Sequence, residues 1–188
     1  MNWIVFILMG WVCFGLELAL LPVFDAGSGG VHPSMVVPLL VFVAINAPRK
    51  PTLWCAILLG IVMDLLKPIP AVDGGTLTVI GPHALGYLLG VHFIMAVRGM
   101  LIRRNPLTMV VMSILVMLIA QIVVIAIFTA RGIGDSSLVW DAGTKLQQGL
   151  FSSLYTGISA LLLSFLFFAL GPFFGFASTV PTRFARHI

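Results

Sequence analysis

The sequence predicts an all-α integral membrane protein, a single polytopic domain over residues 1–188 with six transmembrane helices. Three observations lead there. Of 188 residues 60% are hydrophobic and 9% charged, against about 25% charged in a water-soluble domain. Mean hydropathy is +1.15. The apolar residues fall in runs near 2–21, 35–48, 52–66, 77–98, 106–129 and 148–176, to be set against the roughly 20 residues that span a bilayer. The polar stretches between them, around 22–34, 67–76 and 130–146, are too short for a separate aqueous domain. Any activity is therefore expected in the membrane or its loops.

Taken in order, the first run carries Glu17 and lacks both a basic start and a small-x-small cleavage site, so it is expected to be a retained anchor. The second and third runs are short. At 1.5 Å per residue, about 14 residues reach only about 21 Å, so these two extend into their flanks or thin the bilayer locally. Pro38 argues against a regular helix in the second. Were the two a single re-entrant element the count would fall to five, and Arg49 and Lys50 would be drawn toward apolar depth at high cost. Cys13 and Cys55 lie in apolar runs without a CxxC pair and read as small packing residues.

Charge distribution supplies a direction. Arg49, Lys50, Arg98, Arg103, Arg104, Arg183 and Arg186 fall between spans two and three, between four and five, and after six. The opposite loops hold Lys67, Arg131 and Lys145, together with Asp25, Asp73, Asp135 and Asp141. By the positive-inside rule the first set is cytoplasmic, and both termini with it.

With that orientation, Glu17, Asp64, His83 and Gln121 all come toward the outer ends of their spans, with Gln147 and Gln148 at the start of the sixth. Asp64 is the most informative of them. It sits within the apolar run Leu58 to Leu66, where a lone charge costs a few kcal/mol or more and calls for a partner. An outer-leaflet polar cluster of Glu17, Asp64, His83 and Gln121 is expected, open to a partner segment or a small ligand. The alternative is that each side chain reaches the interface separately.

Small residues give a second pattern. Gly86 and Gly90 in the fourth span, with His83 and Tyr87 close to the same side, and Gly149, Ser153 and Gly157 in the sixth recur at spacing four. Gly15 and Ala19 make a third pair. Such spacing lets helix backbones approach closely, usually within the chain and alternatively against another protein. His83 and His92 are half a turn out of phase and are not expected to act together. Neither G-x-S-x-G, H-E-x-x-H nor a Walker A loop occurs, so no catalytic residues, metal or cofactor are expected. The D-G-G at Asp73 to Gly75 and the glycine-rich Ala26 to Gly30 read as turns.

The order Gly60-x-x-x-Asp64-Leu65-Leu66, a glycine-containing loop, Gly81-Pro82-His83-Ala84-Leu85, Gly86-Tyr87-Leu88-Leu89-Gly90 and a basic turn at Arg98 resembles the rod shape-determining MreD family. The likeness is concentrated in residues 56–104, and the loop between Asp64 and His83 is longer than usual, with Lys67-Pro68-Ile69-Pro70 inserted. The resemblance implies a fold similar to the substrate-binding subunits of energy-coupling-factor vitamin transporters. It also implies a non-enzymatic scaffold of the bacterial elongation machinery. Its partners would be an MreC-like single-span protein and, through it, MreB, RodA and the class B penicillin-binding transpeptidase, with no nucleic acid. In that setting Asp64 and His83 are expected to pair, Glu17 and Gln121 to support them, and Arg98, Arg103 and Arg104 to meet anionic headgroups. The alternative taken from the same fold is a vitamin-binding transporter subunit, with Gly15 and Ala19 as its docking face.

Overall fold

A computed structural model of the chain describes residues 1–28, 31–70, 76–101, 105–132 and 141–176. Six α-helices account for nearly all of it: α1 (Trp3–Ser28), α2 (Val36–Asn46), α3 (Arg49–Leu66), α4 (Pro82–Val97), α5 (Pro106–Gly132) and α6 (Ala142–Leu170), with a 3-10 turn at Gly171–Phe174. Between α3 and α4, β1 (Ile69–Pro70) and β2 (Thr76–Leu77) form a two-residue antiparallel ladder, Ile69 opposite Leu77.

By length and composition three stretches can cross a membrane: Trp3–Pro22, Pro106–Gly132 and Ala142–Phe174. The other three helices fall short of that standard for separate reasons. With 11 residues, α2 extends only about 16 Å. With 16 residues, α4 extends about 24 Å. The 18 residues of α3 include Arg49, Lys50 and Asp64.

The short α2 is the hub. Every residue from Val36 to Ile45 is buried, which is the environment a helix apolar on all sides requires. It touches α1, α3, α4, α5 and α6, while α3, α4, α5 and α6 pack successively on one another. Pro38 does not interrupt it. The proline lies in the first turn, where a missing N–H costs no intrahelical bond. Toward the other end of α2, Phe42 stacks on Phe167 at 5.4 Å and meets Phe174 edge-on at 5.3 Å. The main-chain N–H of Asn2 donates to Phe174 O at 2.7 Å, joining the start of the chain to the 3-10 turn.

Close approach between neighbouring helices runs through glycine. A Cβ on Gly60 would lie 2.3 Å from the Ala84 Cα, one on Gly86 2.8 Å from the Ala120 Cα, and one on Gly157 2.7 Å from the Ile114 Cδ1. Gly90 packs on Val116 in the same way, and the buried Ser153 turns its hydroxyl onto its own helix, donating to Leu150 O at 2.6 Å. Gly15 and Ala19 behave differently from the other small pairs. Both are exposed on α1, and nothing lies within 4 Å of a Cβ built on Gly15. That helix packs on α2 and the 3-10 turn and leaves Ile4, Ile7, Leu8 and Trp11 outside.

Candidate functional site

Two buried carboxylates organise the interior, and each caps a helix to which it does not belong. Met35, at the N-cap of α2, makes no side-chain cap bond, so the first N–H groups of that buried helix need acceptors from elsewhere. Glu17 of α1, 3% exposed, supplies one. Its Oε2 accepts from the Ser34 hydroxyl at 3.0 Å, Met35 N–H at 3.1 Å and Val36 N–H at 3.3 Å. Its Oε1 accepts from Lys67 Nζ at 3.1 Å. The ammonium of Lys67 also lies 2.8 Å from His32 Nε2.

Asp64 does the same for α4. The N-cap there is Gly81, at φ 129, a conformation suited to glycine, and it has no side chain with which to cap. Asp64 Oδ2 accepts from Gly81 N–H at 2.8 Å and Oδ1 from His83 N–H at 2.9 Å, with Ala84 N–H at 3.5 Å from Oδ2. His83 Nδ1 donates to Oδ1 at 2.7 Å, closing a pair whose side chains are 15% and 2% exposed. Negative charge at a helix start is favoured by the macrodipole. At the opposite end of α2 the sign reverses as the dipole requires: Arg98 Nη1 donates to Ala47 O at 2.9 Å. Arg98 is thus tied to the interior through one of its nitrogens, and Arg103 and Arg104 lie outside the described residues.

The segment 31–35 is held on every side. His32 N–H donates to the Ser152 hydroxyl at 3.3 Å, Ser34 N–H to the Thr156 hydroxyl at 2.9 Å, and the Ser159 hydroxyl to Ser34 O at 3.0 Å. Tyr87 of α4 is fully enclosed, 1% exposed. It meets the His83 ring edge-on at 6.3 Å.

Asp64 and His83 therefore pair at the start of α4, Glu17 holds the start of α2 through a separate set of bonds, and Gln121 joins neither. Its side chain lies across Gly149 of α6, and with Gln147 it lines a cleft of ≈ 450 Å³ between α5 and α6. The reason is angular. Ala120 is the residue of α5 that meets α4 at Gly86, and the next residue points about 100° away on a helix. His92 is exposed, and Cys13 and Cys55 are buried free thiols. Pattern reading passed over Ser34, His32 and Lys67, and with them the stripe Ser152, Thr156 and Ser159 on α6. The stripe's i, i+4, i+7 spacing was the available signal.

Each carboxylate faces four donors, about the number of sites it offers. The acids position helices, and a ligand would have to displace these bonds to reach them. Among the described residues, no group of three or more His, Cys, Asp or Glu gathers to hold a metal ion. Comparison of the chain with protein-family models, with curated proteins and with solved structures finds no match in any of the three.

Proposed function

We propose that the chain is a multi-pass scaffold of the bacterial inner membrane, of the MreD type. In this reading it helps control cell shape and peptidoglycan synthesis by binding an MreC-like single-span protein and the elongation components attached to it. The observation that carries the reading is that the residues of the resemblance act on one another. Gly60 packs on Ala84, and Asp64 binds Gly81 and His83, so G-x-x-x-D and G-P-H-A are two halves of one joint. The commitment of Glu17 and Asp64 to helix caps supports a role without chemistry on a substrate.

In this reading α1 to α6 are six passes with both termini cytoplasmic. The bond from Arg98 to Ala47 supports that arrangement, because it sets the end of α4 beside the end of α2 and close to Arg49 and Lys50. The shorter helices reach across by local thinning of the bilayer. The runner-up, a vitamin-binding transporter subunit, is favoured by one observation, the cleft that holds Gln121 and Gln147. Depletion of the chain in its rod-shaped host separates the two readings. The scaffold reading expects rounding and dispersed wall synthesis, corrected by the wild-type gene. Normal rods with a growth defect corrected by a vitamin supplement would overturn it.

A further inference from the structure

The cleft between α5 and α6 has features that neither the buried carboxylates nor the scaffold reading uses. Its ≈ 450 Å³ is lined by Leu118, Gln121, Ile122, Leu146, Gln147 and Leu150, within the roughly 300–1,000 Å³ of small-molecule sites. It opens sideways. Ile122, Leu146 and Leu150 are each about half exposed on the outer surface of the bundle, where a membrane helix meets acyl chains.

Its polar groups are few and ordered along the axis. The half-buried amide of Gln121 makes no hydrogen bond to the described residues, and Gly149 gives its stem room by lacking a Cβ. An amide at apolar depth without a partner is costly, so an occupant that offers it an oxygen is favoured. Gln121 is level with Gly149. Gln147 therefore lies about 3 Å above it along α6 and the exposed Lys145 about 6 Å above it. Lys145 forms no ion pair among the described residues. Amide donors with a cation about 3 Å beyond the outer one match the order of groups in a glycerophospholipid, whose ester carbonyls lie just below its phosphate. A water-soluble ligand leaves the exposed apolar flank of Ile122, Leu146 and Leu150 uncovered, whereas acyl chains cover it.

We propose that this cleft binds one glycerophospholipid of the surrounding bilayer, with Gln121 and Gln147 donating to its ester carbonyls and Lys145 pairing with its phosphate. The test is photo-crosslinking of the full chain in nanodiscs with a phosphatidylethanolamine that carries a diazirine in one acyl chain, with peptide mapping of the adducts. Adducts concentrated in 118–122 and 146–150 are expected. Lys145→Ala with Gln147→Leu should lower their yield about tenfold, the effect of losing one or two hydrogen bonds. Both side chains are exposed, so the fold should tolerate the change. Ile122→Trp, at another exposed position, should block the cleft directly. Adducts spread evenly over the outer faces of α1 and α6, or a yield unchanged in all variants, would overturn the proposal. So would native mass spectrometry that finds a vitamin or a polyprenyl phosphate retained in place of a phospholipid. None of these readouts depends on the scaffold role.

Discussion

Replacing Asp64 with alanine tests whether a carboxylate on α3 holds the start of α4. The substitution removes the acceptor for Gly81 N–H, His83 N–H and His83 Nδ1, all within 2.7 to 2.9 Å. Buried donors left without a partner cost about 1–3 kcal/mol each, and breaking a buried pair about 3–5 kcal/mol in all. Taking that total, and about 2–4 °C per kcal/mol for a chain of this size, the midpoint of thermal unfolding should fall by roughly 6–20 °C. The assay is thermal unfolding in mild detergent, with hydrogen exchange of the α4 amides alongside. Asp64→Asn keeps one acceptor and turns an amide NH₂ toward donors that need an oxygen, so it should recover less than half of the loss. An Asp64→Ala midpoint within about 2 °C of wild type, with the first α4 amides still protected, would refute the reasoning.

Gly60→Ala should prevent stable packing of α3 on α4, because its Cβ would lie 2.3 Å from backbone that cannot move aside. Gly15→Ala, with open space around it, should leave thermal stability within about 0.5 kcal/mol of wild type, and the two variants can be compared by size-exclusion recovery after heating. Arg98→Ala should destabilise the bundle by about 1–3 kcal/mol through loss of the bond to Ala47 O, with Arg98→Lys intermediate in the same melt. At the start of α6 the Thr144 hydroxyl and Gly143 N–H hold Asp141 below the usual carboxylate range. A lowered folded pKa means that the cap is present above the unfolded value and is lost as pH falls through the folded one. Exchange in the first turn of α6, corrected for intrinsic rates, should therefore rise as pH drops below 3.8, and Asp141→Ala should abolish that dependence.

The helical, membrane-compatible character was legible because composition and run length register solvent directly. Runs near 106–129 and 2–21 mark α5 and most of α1 for that reason. The boundary of α6 was not, because Asp141 caps a turn that is polar and reads as loop, so the helix begins at Ala142 and not near 148. Asp64 and His83 were findable as a pair because a charge in an apolar run demands a partner. Their use as a helix cap was hidden. Capping rules are local in sequence, whereas Asp64 lies 17 residues from Gly81 and Glu17 lies 18 from Met35. Gln121 was misplaced because depth along a helix is readable from residue number, while the face it presents depends on which neighbour the helix packs against. Lys67 illustrates the same limit: as a flanking base it marks orientation, and only the fold reveals that it neutralises Glu17.

The measurement that bears most directly on the scaffold reading is affinity purification of the tagged chain from native membranes, with bound proteins quantified by mass spectrometry. The account predicts stoichiometric recovery of an MreC-like single-span protein with peptidoglycan-synthesis components. Recovery of transporter ATPase subunits, with no elongation protein above background, would contradict it.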